Sequence, residues 1–391
     1  MDSGLLQRVR TYKNRKIVSQ SLLFAFFGCQ ADRRAPKFAF EDYGWFGFLR
    51  NLFLVVISLI FLQSQGESAP GRGPMGLIWE APLESEETYT AEVEALIRAY
   101  EAERSIRLTP GQRGKVGIKV NTRSGRGLST PLGLLRAVIE AFEKRGFERQ
   151  GILILDYSVH GLREAGILPV LSTDEATFEG CSVYALDSEQ YYDKDWFYDS
   201  PLPPSRNQDP KLLQDPSVEA TSLSEGDSGR KSFLPMPLLF EVDFWVNLAL
   251  GVDDGSLGID GALANATLWN VSNSQRFLSS EATASVAVAE IAAIPELSER
   301  MLLHFVPLNR YQYIGGPQFN SLYTYSEPLL WMSADPVAID RLLFDRINTL
   351  RRNNGFPEID ALPRQLPFAS SLGLGVFEKS QIEVREVGFE R

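Results

Sequence analysis

The stretch Pro328-Leu329-Leu330-Trp331-Met332-Ser333-Ala334-Asp335-Pro336-Val337-Ala338-Ile339-Asp340-Arg341-Leu342-Leu343-Phe344 decides the fold class. Leu329 to Ser333 is an apolar run of strand length. Asp335 follows where an N-cap side chain accepts backbone N–H groups, Pro336 suits the first helical position, and an amphipathic helix continues from there. A strand running into a capped helix is half of a βαβ unit. Such junctions leave backbone donors and the positive end of a helix dipole at the carboxyl edge of a sheet, where open α/β proteins bind ligands. A plain helix cap is the simpler reading of Asp335 alone; other strands that end the same way favour a shared site.

Outward from that segment the pattern repeats. Lys115 to Asn121 alternates, with Val116, Ile118 and Val120 on one face and Lys119 and Asn121 on the other. A glycine-containing loop, Thr122 to Thr130, leads into a helix opened by Pro131, and Gly151 to Asp156 is the next buried strand. Strand, helix, strand implies a right-handed parallel crossover. Glu241 to Leu248 and Met301 to Pro307 read as further strands, Ser280 to Ile294 as helix, and Gln381 to Val387 as a final edge strand. The expected fold is α/β: a mainly parallel sheet with helices on both faces, Rossmann-like in its layering, plus a long irregular excursion. The expected boundaries are an N-terminal extension at 1–69, a linker and helix at 70–111, and the α/β domain at 112–388 with its irregular insertion at 187–232.

Composition narrows the chemistry. In 391 residues, 39 basic side chains face 50 acidic ones, a net charge of −11 that disfavours a nucleic-acid partner. Cys29 and Cys181 are the only cysteines, which excludes an iron–sulfur cluster held by four chain cysteines and the usual structural zinc spacings. His160 and His304 are the only histidines, and His304 lies in the apolar run Met301 to Val306, where a buried strand histidine is expected. A bound metal would need oxygen ligands, which points to magnesium, calcium or manganese.

The strand ends carry polar groups that a parallel sheet would bring to one crevice. Lys119, Asn121, Asn247, Asn265, Arg310, Ser333 and Asp335 are the expected ligand-binding residues, with Lys119 and Arg310 suited to an anion. Asp156, Asp253 and Asp254 are the candidates for acid–base work, and Asp156, Asp253 and Asp335 for metal ligation. Lys119, placed on the polar face of its strand, is expected to be dispensable for folding. No Gly-x-Ser-x-Gly elbow, Walker A motif or dinucleotide fingerprint occurs. Two functions follow: an enzyme acting on a small anionic molecule, with an oxygen-ligated divalent metal, or a non-catalytic binding protein using the same crevice.

Ser333-Ala334-Asp335-Pro336-Val337-Ala338-Ile339-Asp340 resembles the signature of the bacterial family termed domain of unknown function 362. Val116 to Asn121, Ser129-Thr130-Pro131, Ile152 to Asp156, Val242 to Leu248 and Leu372 to Val376 agree with its other blocks, in order. The resemblance implies recurrent positions at Lys119, Asn121, Asp156, Asn265, Asp335 and Asp340, and no defined activity. It departs where relatives carry a Lys-Asp-His or Lys-Thr-His step and a Lys-Asn step; here the chain has Ala249 to Asp254 and Leu263-Ala264-Asn265, and it lacks the ferredoxin-type cysteines of some members.

Leu52 to Leu62 is an apolar core of signal-peptide length after Arg50, inside the 51–62 segment. Export to the periplasm or the extracellular space, with cleavage near Gly66 to Ala69 and a translation start downstream of Met1, is expected; the alternative is an uncleaved membrane anchor.

Overall fold

Four apolar runs, buried on both faces, form the middle of the molecule: β2 (Val116–Lys119), β3 (Ile152–Asp156), β8 (Phe244–Leu248) and β11 (Met301–Pro307). The computed structural model describes residues 73–84, 89–171, 176–199 and 231–388; the 51–62 segment and the greater part of the 187–232 excursion lie outside them. The remaining strands are β1 (Leu77–Pro82), β4 (Thr177–Phe178), β5 (Cys181–Ala185), β6 (Tyr192–Asp199), β7 (Lys231–Pro235), β9 (Val252–Asp254), β10 (Gly258–Asp260), β12 (Tyr311–Gln312), β13 (Thr324–Tyr325), β14 (Leu329–Ser333) and β15 (Glu383–Glu386). The helices are α1 (Thr90–Arg104), α2 (Leu132–Glu143), α3 (Val159–Glu164), α4 (Ala262–Asn265), α5 (Glu281–Ala292), α6 (Pro295–Ser298), α7 (Pro336–Asn353) and α8 (Gln365–Ser371).

Nine strands form one sheet in the order β15-β1-β14-β11-β8-β2-β3-β5-β4. β11, β8, β2, β3 and β5 run parallel, as continuous apolar runs covered on both sides should. One face buries Ile118, Val246 and Phe305 against Leu96 and Tyr100 of α1 and Leu135 and Phe142 of α2. The other packs Trp245 and Leu155 against Leu263 of α4 and Val288 of α5, and Trp331 against Ile339 and Leu343 of α7. The fold is therefore α/β with a mainly parallel sheet between helical layers.

Several boundaries differ from the sequence expectation. β1 lies inside the stretch read as linker, yet it is a strand of the main sheet, antiparallel to β14 and parallel to the edge strand β15. The two ends of the excursion pair as an antiparallel ribbon, β6 with β7, rather than running irregularly. The largest difference is β14, which runs antiparallel to both β11 and β1. Its register places Ser333 opposite His304, in mid-sheet, and the chain then emerges at the amino edge of the parallel strands. Asp335 consequently lies two residues beyond the row that holds Lys119, the end of β2, and on its amino side. A run of apolar residues carries no sign of its direction, so a strand-to-helix junction alone does not say which edge it reaches.

At that edge the two aspartates of the opening segment act as helix caps. Asp335 accepts from Ala338 N of its own helix at 2.9 Å and from the backbone N–H groups of Gly76 and Val376, each at 2.9 Å. Asp340, five residues on, reaches a different helix: it accepts from Ala262 N at 2.6 Å and Leu263 N at 2.9 Å, the first donors of α4, whose own N-cap residue is Gly261. Glycine is required at both contacts. A Cβ at Gly261 would lie 2.2 Å from Asp340 Oδ1, and one at Gly375 would lie 1.9 Å from Asp335 Oδ1. Gly375→Ala is therefore expected to cost about 1–3 kcal/mol in urea unfolding, as overpacking does. Gly255→Ala, with open space around its Cβ, is the control and should be near neutral; equal effects would remove Asp335 as the anchor of this corner.

Candidate functional site

β2 carries a lysine into the interior. Register aligns Lys119 with Asn247 of β8, Asn247 with His304 of β11, and His304 with Ser333 of β14, so four polar side chains form a row across one face. All four are buried. An ammonium taken from water needs acceptors in place of its hydration shell. Lys119 Nζ donates to Asp156 Oδ1 at 2.6 Å, Val120 O at 2.7 Å and Asn265 Oδ1 at 2.9 Å, which accounts for its three protons. Burial holds the Lys119 pKa below the ordinary lysine value, and the Asp156 carboxylate opposes that shift.

The row continues through amides. Asn265 Nδ2 donates to Asn247 Oδ1 at 2.6 Å, and Asn247 Nδ2 donates to Ala262 O at 2.8 Å and lies 2.9 Å from His304 Nδ1. With both Asn247 protons directed outward, His304 Nδ1 is the acceptor and its proton sits on Nε2. That Nε2 is buried without a partner, and burial pushes the His304 pKa down to about 3. Asp156 is fully engaged as well: its Oδ2 accepts from Thr122 N at 2.8 Å and Thr122 Oγ1 at 2.5 Å, and Oδ1 also accepts from Tyr157 N at 2.8 Å.

The loop after β2 is pinned by a second charge cluster. Arg123 donates to Asp254 at 2.9 Å and Asp260 at 2.7 Å, and its guanidinium lies 4.0 Å from the Trp269 ring centre; Trp269 Nε1 donates to Asp260 at 2.8 Å. Burial pushes Asp260 up while the Arg123 charge pulls it down. Asp254 and Asp260 come from β9 and β10, members of a second, four-stranded sheet in the order β10-β9-β12-β13. This sheet is built from the chain that follows β8 and β11, so the carboxyl edge read as an open crevice is roofed. Asp253 faces away from Asp254, accepting from Gly315 N at 3.0 Å and lying 3.5 Å from Arg351.

The expected site residues therefore fall into separate groups. Lys119, Asp156, Asn247 and Asn265 are brought together, but as a closed buried network rather than a set of free ligand contacts. Asp254 belongs to the Arg123 cluster, Asp253 to Arg351, and Asp335 to the corner it caps with Gly76, Ala338 and Val376. Ser333 donates to Leu77 O at 2.7 Å and accepts from Asp335 N at 2.9 Å. The proposed metal trio of Asp156, Asp253 and Asp335 is not assembled, and among the described residues no group of three or more His, Cys, Asp or Glu side chains is placed to hold a metal ion. Arg310 remains at the surface, donating to Gly127 O at 3.2 Å. Asn121 accepts from Arg123 N at 3.1 Å, but its Nδ2 is buried without a partner, as is Ser124 Oγ. Sequence reading passed over Thr122, Arg123, Asp260 and Trp269. Arg123 sits in no recognisable motif, and only a pairing partner 131 positions away, Asp254, gives it a role.

Two predictions follow from the burial of this network. Lys119→Met leaves the Asp156 carboxylate without its counter-charge and is expected to cost about 3–5 kcal/mol, in contrast to the small effect anticipated for a surface lysine. The double variant with Asp156→Asn should lose less than the sum of the two singles in urea unfolding; strict additivity would mean that the pair does not interact. His304 has a folded pKa depressed from 6.5 to about 3. Its contribution is thus present above about pH 6.5 and lost as pH falls toward 3, by as much as roughly 5 kcal/mol. His304→Gln should flatten unfolding free energy against pH between 6.5 and 4, and an unchanged slope would show that His304 does not control it.

No family model matches the chain, and no curated protein matches it. Among solved structures, the crystal structure of a Thermotoga maritima protein, a Northeast Structural Genomics Consortium target, is 13% identical over 59% of this chain, with a TM-score of 0.31. The match spans about half of that protein's length, 51%.

Proposed function

We propose that the protein is a non-catalytic binding protein for a small anionic molecule, with its site on the loop that follows β2. The observation that carries this reading is the pair of buried groups, Asn121 Nδ2 and Ser124 Oγ, that have no partner in the protein. Unmet buried donors are costly, and an acceptor-rich ligand supplies what they lack. Arg126 and Arg310 are exposed beside the same loop and add positive charge. The loop is rigid before any ligand arrives, because Arg123 ties it to β9 and β10 and Thr122 ties it to Asp156; preorganisation reduces the entropic cost of binding.

The enzyme reading is weaker for a physical reason. The carboxylates it requires, Asp156, Asp253 and Asp254, already accept hydrogen bonds from protein donors or face a guanidinium. Membership of the family termed domain of unknown function 362, and export with cleavage near Gly66 to Ala69, belong to the same proposal; they rest on the ordered sequence blocks and on the apolar 51–62 segment. Among the described residues, no helix is long and apolar enough to cross a membrane.

Native mass spectrometry of the chain recovered from a secreting bacterial host reads both parts separately. The expected mass is that of a chain shortened near Gly66 to Ala69, carrying a small anionic adduct. Ser124→Ala, which removes only an unpartnered hydroxyl, and Asn121→Asp, which replaces a donor by an acceptor, should each reduce adduct occupancy at least tenfold. A full-length intracellular chain would remove export; an adduct unaffected by both substitutions would remove the site.

A further inference from the structure

On the other side of the main sheet, where α1 and α2 end side by side, lies a concavity of about 410 Å³ lined wholly by charged side chains: Glu94, Arg98, Glu101, Arg107, Lys144 and Arg145. Arg145 forms its floor and is 6% exposed. Its guanidinium donates to Glu101 through Nε at 2.8 Å and NH2 at 2.9 Å, to Glu94 through NH1 at 2.7 Å, and to Ala141 O at 2.9 Å. Both carboxylates are thereby neutralised in place, and Arg98 adds a second partner to Glu94 at 2.6 Å. Arg107 and Lys144 remain. Both are exposed on the rim, and neither has an ion-pair partner among the described residues.

Four cations against two carboxylates make a locally positive basin on a chain whose net charge is −11. Basic side chains near helix C-termini complement the helix dipole, which accounts for Arg104 in the last turn of α1 and for Lys144 at the C-cap of α2. It does not account for Arg107, beyond the end of α1, or for a hollow large enough for a small molecule. We propose that this basin is a second binding site, for a compact polyanion of the pyrophosphate class. No aromatic or aliphatic residue lines the basin, which argues against a ligand recognised through a ring. Two free cations on separate helix ends suit a multiply charged group that engages both, with Arg145 held rigid beneath them.

The probe is inorganic pyrophosphate, titrated calorimetrically into the full chain at low and at physiological salt. The expected result is saturable binding that weakens with salt and falls at least tenfold in the double variant Arg107→Gln/Lys144→Gln. Both residues are exposed and unpaired, so the variant should fold; an unchanged melting temperature checks this. The comparison variant Lys194→Gln/Arg364→Gln removes the same charge from exposed positions outside both candidate sites and should bind like the wild type. Loss of binding in the comparison variant alone would show that the polyanion is held outside the basin and would overturn the proposal. Equal binding in all three proteins, or none in the wild type, would also overturn it.

Discussion

A lysine ammonium enclosed in the core constrains everything around it. Lys119 has no water to solvate it, so each of its three protons must meet a protein acceptor, and the fold supplies these from three places: the carboxylate at the end of β3, the backbone of β2 and an amide on α4. Asn265 can face Lys119 only if α4 lies close over the sheet. α4 has four residues, too few to hold its position unaided. Asp340 of α7 caps it, which makes the lysine's environment depend on a helix that begins at the far edge of the sheet.

The Asp-Pro-Val-Ala-Ile-Asp segment thereby acquires a structural meaning. Its first aspartate joins the start of α7, the backbone before β1 and the backbone at Val376; its second joins α7 to α4. Because both are buried, burial pushes both pKa values up, that of Asp340 to about 7, against the backbone donors that favour the charged form. Glycines at 261 and 375 leave room for the carboxylates. The most distinctive motif in the chain builds a corner of the fold rather than presenting chemistry to a ligand.

Much of the architecture was legible from residue patterns. Continuous apolar runs marked β3, β8 and β11, and Asp335 with Pro336 marked the start of α7, because burial on both faces and capping are local requirements. What was not legible depends on distant partners. The direction of β14 is set by its pairing with β11 and β1, and its reversal carries Asp335 away from the carboxyl edge, while Ser333 stays in the row with Lys119 and spends its hydroxyl on Leu77 O. Alternation in Lys115 to Asn121 put Lys119 on the side away from Val116, Ile118 and Val120, which is correct; that side is covered by α4 instead of water. A period-two pattern distinguishes the faces of a strand without saying what covers each. The small sheet over the carboxyl edge was hidden for a similar reason, since β9, β10, β12 and β13 have two or three residues each and carry almost no periodic signal. Asp156 and Asn265 were correctly singled out as neighbours of Lys119, and their role is to hold its charge.

The central claim is that Lys119 is a protonated, fully enclosed partner of Asp156 and Asn265. Nitrogen-15 NMR of the lysine ammonium groups tests it most directly. The account predicts one ammonium signal at neutral pH whose protons exchange with water far more slowly than those of surface lysines, and which is lost in Lys119→Met. An ammonium at Lys119 that exchanges as fast as the exposed ones, or a neutral amine there at pH 7, would contradict it.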